Sequence, residues 1–158
     1  MKKMGLGIAG LAGMILGGGI VEIVEKKNKK SKNKSIDQNT KRLKSYYDIL
    51  NKWLSMKQKG ESLEEYFLDY GYKSVAIYGM GELGKRLYDE LKDTNIKVLY
   101  AIDKNSGGKY LDIDIKSPDE DLPEVDVTVV TAVFAFDEIL SELEDKLSSQ
   151  IISLNEVL

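Results

Sequence analysis

Residues 75–84 read Val-Ala-Ile-Tyr-Gly-Met-Gly-Glu-Leu-Gly, and the reading of this stretch decides the fold. Residues 75–78 are a short apolar run of the kind that forms a strand buried on both faces. The run stops at three glycines in the spacing Gly79-x-Gly81-x-x-Gly84. A helical pattern follows at once. Leu83, Leu87 and Leu91 recur every fourth residue, while Lys85, Arg86, Asp89, Glu90 and Lys92 fill the opposite face. A second apolar run, IKVLYAI at 96–102, then ends at Asp103.

Strand, glycine loop, helix, strand and terminal acid, in that order, form the dinucleotide-binding fingerprint. Gly79 permits the tight turn, Gly81 removes a side chain that would block a pyrophosphate, and Gly84 lets the helix approach the strand. Free N–H groups and the dipole at the helix start favour phosphate. Asp103 stands 19 residues after Gly84, where a carboxylate can accept both ribose hydroxyls; this favours NAD over a 2′-phosphorylated cofactor. The candidate ligand-binding residues are therefore Gly79, Met80, Gly81, Glu82, Leu83, Gly84 and Asp103, with Thr131 at the end of a later strand. The ligand is read as NAD or a nucleotide-sugar. The plainer alternative is a domain that keeps the turn for packing alone. Glu82 adds negative charge to the loop, and Lys104 beside Asp103 blurs the choice of cofactor.

The α/β pattern continues beyond the fingerprint. After Gly107-Gly108, the alternation of Leu111, Ile113 and Ile115 with Asp112 and Asp114 predicts a short edge strand. Ser117-Pro118-Asp119-Glu120 has the form of a helix start with proline in first position. VDVTVVTAV at 125–133 predicts a central strand, 136–147 a helix with Ile139, Leu140, Leu143 and Leu147 inward, and 151–153 a last strand before a helical stub. Right-handed crossovers then place 75–78 centrally, between 98–102 and 127–131. The fold class is α/β: a small parallel sheet of Rossmann type flanked by helices.

Two decoys are set aside. Tyr88 and Lys92 match the Tyr-xxx-Lys spacing of short-chain dehydrogenases, but they follow the glycine loop directly and do not face a nicotinamide. Asp119, Glu120, Asp121, Glu124 and Asp126 read as a solvated loop, with no metal ligands among them. The chain has no cysteine and no histidine, which removes disulfides, thiolate metal sites and the commonest general base.

Upstream, Ser62-Leu63-Glu64-Glu65 is a capping box opening a short helix with Tyr66, Phe67 and Tyr70, which Gly71 stops. Before it, Leu43, Tyr46, Tyr47, Leu50, Trp53 and Leu54 recur at three and four, predicting an amphipathic helix over 41–59 whose aromatic stripe packs on the domain. Residues 26–40, KKNKKSKNKSIDQNT, read as a flexible basic linker.

Residues 4–21 contain 18 residues without a charge, seven of them glycine. As a helix they span about 27 Å, close to the ~30 Å hydrocarbon core of a bilayer. Ala9, Gly13 and Gly17 form a small-xxx-small stripe suited to helix association, so a homodimer is one expected partnership. Lys26, Lys27, Lys29, Lys30, Lys32 and Lys34 follow the segment, outnumber Lys2 and Lys3, and keep the following side cytoplasmic. A cleaved signal peptide and a peripheral helix are the rival readings. Residues 1–34 hold eight Lys and two Glu, a balance of +6; with the chain at −3 overall, residues 35–158 carry −9. A basic collar on an acidic body fits anionic lipid near the N-terminus and disfavours nucleic acid. The expected division is an anchor helix over 1–25, a linker over 26–40, a helical lead-in over 41–72 and the nucleotide-binding domain over 73–158.

VAIYGMGELGKRLYDEL…YAIDKN, with VDVTVVTA…IISLNEVL, resembles the small Rossmann domains of bacterial cell-surface polysaccharide assembly. These accompany sugar acetyltransferases, membrane-bound nucleotide-sugar epimerases and glycosyltransferases. The resemblance covers 73–158 and implies a nucleotide, nucleotide-sugar or NAD ligand at Gly79, Gly81, Gly84 and Asp103. The transferase or epimerase portion has no counterpart here, so catalysis does not carry over. The expectation is a binding module at the inner membrane face, without catalytic residues of its own, serving a protein partner. The alternatives are a minimal NAD-dependent oxidoreductase or epimerase subunit completed by a partner, and a ligand-free scaffold.

Overall fold

A computed structural model describes the backbone from residue 9 to residue 158, and the side chains of 27, 29, 32 and 35–158. Residues 1–8, with which the expected membrane segment opens, and the side chains of its remainder lie outside the described residues. Among the described residues no helix is long and apolar enough to cross a membrane.

Helix α1 spans Ala9–Gln58 and α2 spans Leu63–Asp69. Strand β1 (Ser74–Tyr78) leads through the glycine loop to α3 (Glu82–Leu91) and β2 (Lys97–Ile102). A short hairpin follows, β3 (Gly108–Tyr110) and β4 (Ile113–Lys116), then β5 (Val127–Val130). A 3₁₀ turn over Val133–Ala135 enters α4 (Phe136–Leu143), and β6 (Gln150–Ser153) and α5 (Leu154–Val157) close the chain.

The six strands make one sheet in the order β3-β4-β2-β1-β5-β6. Every pairing is parallel except that of β3 with β4. Strand β1 lies between β2 and β5, as right-handed crossovers require: Ile77 pairs Ala101 on one side and Val129 on the other. The alternation of side chains along β1 feeds two apolar clusters. Val75 and Ile77 join Leu83, Leu87 and Leu91 of α3, together with Trp53, Leu63 and Phe67 from the lead-in helices. Ala76 and Tyr78 join Tyr100, Ile139 and Leu143. Helices thus cover both faces of the sheet, which explains why consecutive residues of β1 from Val75 on, and all of β5, are buried rather than alternating.

Several expectations are corrected. The helix expected to begin at 41 begins at Ala9 and runs through 26–40, the stretch read as a flexible linker. Between Gly19 and Gly60 the sequence has no glycine or proline to interrupt a helix, and its Lys and Gln residues are good helix formers. The compact unit that holds the sheet is Ser45–Leu158, so α2 and the C-terminal turns of α1, from Ser45 on, are part of it. Of the stripe expected to pack on the domain, Trp53 and partly buried Tyr46 do so, joined by Ile49 and Met56, whereas Leu43, Tyr47, Leu50 and Leu54 are exposed.

No helix starts at Ser117. Glu120 and Asp119 make the capping contacts, Ser117 N–H to Glu120 Oε1 at 2.9 Å and Asp119 N–H to Ser117 Oγ at 3.3 Å. Pro123 then forces Leu122 out of helical conformation and the turn goes no further. The alternation read as an edge strand is β4, which lies inside the sheet against β2. The edge is β3, returned through Leu111 at φ 54°. Helix α4 ends at Leu143 instead of 147. Glu144 and Asp145 place negative charge at its C-terminus, against the dipole, and the Leu143 carbonyl takes the N–H groups of Lys146 and Leu147. Ser62 caps α2 by accepting the Glu64 N–H at 3.2 Å, and the reciprocal box sits instead at Ser153 and Glu156 on α5.

Asp126 fixes where the central strands begin. Its Oδ2 accepts the N–H groups of Lys73 and Ser74, each at 2.8 Å, and the Ser74 hydroxyl at 2.9 Å. These donors, the Lys73 and Ser74 amides foremost, hold its carboxyl below the usual carboxylate value of 3.8. A lowered folded-state pKa contributes stability above the unfolded value and loses it as pH falls through the folded one. Asp126→Ala is expected to lower the melting temperature by a few degrees at neutral pH and to flatten its acid-side decline below pH 3.8. An unchanged melting curve across that range would show that the staple contributes nothing.

Candidate functional site

The C-terminal end of β1 is where the chain reverses direction across the sheet, β2 leaving on one side and β5 on the other. In open α/β sheets this is the position of the ligand crevice. The three loop glycines stand there for three different reasons. Gly79 has φ +94°, which L side chains rarely adopt, and a Cβ on it would lie 2.9 Å from Thr131 Oγ1. Gly84 sits in the first turn of α3, where a Cβ would lie 2.1 Å from the Gly79 carbonyl oxygen. Gly81, the N-cap residue of α3, has ordinary extended backbone (φ −72°, ψ −162°), and a Cβ there would meet nothing within 4 Å. The first two glycines are demanded by the chain itself. The third is not.

The loop is held from both flanks. Thr131, buried at the end of β5, donates its N–H to the Tyr78 carbonyl at 3.0 Å, and its hydroxyl lies 2.7 Å from the Gly79 carbonyl. On the other flank, Gly79 N–H donates to the Ile102 carbonyl at 2.7 Å and Met80 N–H to Asp103 Oδ2 at 2.9 Å. The second Asp103 oxygen accepts the Asn105 N–H at 2.8 Å. Asp103 and Thr131 are therefore brought to the loop as expected, but both are occupied in fastening it. Met80 and Leu83 are buried in the core, so their side chains serve packing. Glu82 is exposed in the first turn, 3.9 Å from Lys85.

The N–H groups of Gly81, Glu82 and Leu83 find no acceptor among the described residues. The positive end of α3 is thus presented at the mouth of the loop, beside a residue with no side chain. This arrangement can bind an anionic group such as a phosphate. It offers no acid/base pair. Tyr88 donates its hydroxyl to Asp112, a bond that pushes the phenol up to about 12, and Lys92 pairs with Asp89. Neither side chain reaches the loop. Among the acids of 119–126, Asp119 pairs with Lys146 at 2.8 Å, Glu120 takes the Ser117 N–H and Asp126 staples β1 to β5. Two open grooves lie elsewhere: about 340 Å³ between α1 and α3, lined by Leu50, Trp53, Leu54 and Arg86 among others, and about 280 Å³ beside Tyr88 and Asp112.

Sequence reasoning missed the tyrosine that ends β1. Tyr78 is 5 % exposed, and its hydroxyl oxygen is buried without a hydrogen-bond partner. Burial first, and the charge of Glu142 second, push its phenol up. Glu142 is in turn held by Lys104, at 3.1 Å. In the sequence Tyr78 looks like one more apolar strand residue; only the sheet face it occupies, opposite α3, separates it from the loop it precedes.

No family model, curated protein or solved structure matches this chain.

Two substitutions test the geometry without any ligand. Tyr78→Phe removes a hydroxyl that makes no bond, so thermal stability is expected to stay the same or rise; a marked fall would mean that the hydroxyl has a partner. Asp103→Ala frees the Met80 and Asn105 amides and is expected to cost about 1–3 kcal/mol in chemical denaturation. Full stability in that variant would remove Asp103 from the loop's support.

Proposed function

We propose that the chain is a nucleotide-binding module of Rossmann type, which takes the diphosphate of NAD or of a nucleotide-sugar at the Gly79–Gly84 loop. The observation that carries this reading is Gly81. Its backbone is ordinary and a side chain there would stand in open space, so packing within the chain does not require a glycine, although glycine is among the residues favoured at a helix N-cap. An incoming phosphate, approaching three free N–H groups at the head of α3, does account for it.

The resemblance to polysaccharide-assembly domains supports an accessory role in envelope polysaccharide synthesis, beside a partner that carries out the chemistry. The uncharged N-terminal segment and the lysines after it support a tether to the cytoplasmic face of the inner membrane. The sheet is doubly wound with β1 at the reversal point, as in Rossmann domains.

The engagement of Asp103 bears on the class of ligand. Both of its oxygens already accept a backbone N–H, so a ribose diol would share an acceptor rather than find a free one. Affinity then rests mainly on the phosphates, which NAD and nucleotide-sugars have in common.

Calorimetric titration of the chain with NAD, a UDP-sugar and ADP tests the reading. At least one is expected to bind, and Gly81→Val is expected to weaken that binding by about 2 kcal/mol or more, roughly thirtyfold, while the fold survives. The valine stands in open space within the chain, so lost binding with an unchanged circular dichroism spectrum isolates the ligand's approach. Wild-type protein that takes up no nucleotide at millimolar concentration contradicts the proposal.

A further inference from the structure

Tyr78 is the last residue of β1, immediately before the glycine loop, and it is 5 % exposed. Its ring lies on the sheet face opposite α3, among Ile102, Ile139 and Leu143, with Ala132, Ala135 and Phe136 packed against them. Its hydroxyl oxygen is buried and finds no partner among the described residues. An unpaired buried hydroxyl carries a desolvation cost that phenylalanine in the same place would not incur. Packing therefore asks for the ring and not for the oxygen. The other buried tyrosine of this cluster shows the ordinary outcome: the Tyr100 hydroxyl donates to the Pro123 carbonyl at 2.7 Å.

The surroundings of that hydroxyl are charged. Lys104, just past β2, and Glu142, on α4, meet at 3.1 Å and join the two elements on this side of the sheet. Theirs are the charges that act most on the Tyr78 phenol, ahead of Asp103 and Lys146. Lys146 is itself held by Asp119 at 2.8 Å and by the Pro118 carbonyl at 3.3 Å. The Lys104 and Glu142 side chains are 67 % and 33 % exposed, and a pair of this kind adds little stability and parts readily. With Lys104 turned aside from Glu142, an ammonium, a carboxylate and a phenol are all available beside the glycine loop.

We infer that Tyr78, Glu142 and Lys104 receive a hydroxyl-bearing sugar ring, the one carried beyond the diphosphate of a ligand at the Gly79–Gly84 loop; this rests on the nucleotide reading of that loop. The donors and acceptors select the ring. A sugar hydroxyl both donates and accepts, so neighbouring hydroxyls of one ring can accept from the phenol and from Lys104 and donate to Glu142. The set is then satisfied with no change of charge. A further phosphate would face the carboxylates of Glu142 and Asp103, and an apolar group would leave the phenol unpaired. Position selects which ring. The dinucleotide fingerprint assigns the nucleoside's own ribose to the end of β2, whereas Tyr78 packs against residues that follow β5, on the other side of β1. Gly81 follows Tyr78 by three residues, at most about 11 Å of extended chain, so one ligand can touch both. Such a ring occurs as the hexose of a nucleotide-sugar and as the second ribose of NAD.

Calorimetric titration of the full chain with UDP, UDP-glucose, ADP and NAD tests this, since UDP and ADP lack the ring. Tyr78→Phe is expected to weaken UDP-glucose, NAD or both by about five- to tenfold, the scale of one hydrogen bond, with UDP and ADP unchanged and the melting temperature equal or higher. Loss with UDP-glucose alone assigns the subsite to the hexose, and loss with NAD alone to the ribose. Tyr100→Phe, which removes a hydroxyl already bonded to Pro123, is expected to lower the melting temperature and leave every affinity as in the wild type. A Tyr78→Phe chain that binds all these ligands like the wild type overturns the inference while the reading of the loop stands. Equal weakening with and without the ring, or a wild type that takes UDP or ADP but neither larger ligand, has the same consequence. A wild type that binds none of them removes the reading of the loop and this inference with it.

Discussion

Helix α3 begins so close to the end of β1 that a single added methyl on Gly84 would lie 2.1 Å from the Gly79 carbonyl oxygen. This approach sets the rest of the α/β unit. It draws Leu83, Leu87 and Leu91 onto the sheet and sends the chain around to β2 on one side of β1. It also forces the connection into a turn tight enough to need positive φ at Gly79. The turn, once made, leaves the N–H groups of Gly81, Glu82 and Leu83 at the head of a helix without an acceptor among the described residues. A feature required by packing thereby leaves the kind of helix N-terminus that suits an anion, and the hydrogen bonds from Thr131 and to Asp103 hold the loop in place.

That division of labour explains which residues could be read from the sequence. The apolar runs of β1, β2 and β5 announce strands buried on both faces, and Gly79 and Gly84 announce the turn between them, because each signal is local and has one physical cause. Residues whose role depends on what arrives from elsewhere in the chain were less legible. Asp103 looks like a free acceptor at the end of a strand, yet the Met80 and Asn105 amides claim it. Thr131 looks like a cleft residue and is a buried brace. Tyr78 reads as apolar, and nothing in its neighbours in sequence shows that its hydroxyl is buried unpaired.

Errors at the element boundaries have similar origins. Ser117-Pro118-Asp119-Glu120 contains every local requirement for a helix start, and its capping contacts do form. The outcome is decided three residues beyond Glu120, by Pro123. Along α1 the apolar residues were legible, but two stripes overlap on one helix and periodicity alone does not say which meets the core. The packed face is Tyr46, Ile49, Trp53 and Met56; Tyr47, Leu50 and Leu54 beside it are exposed.

Nucleotide binding at this loop requires that the N–H groups at the head of α3 receive phosphate. Amide chemical shifts of ¹⁵N-labelled chain, followed during titration with ADP or a UDP-sugar, report on those groups one by one. Saturable downfield shifts at Gly81, Glu82 and Leu83, larger than those at the Thr131 and Met80 amides already bonded within the protein, are what the geometry requires. Resonances of Gly81, Glu82 and Leu83 that stay still at millimolar nucleotide would contradict it, and the loop would then be a packing device alone.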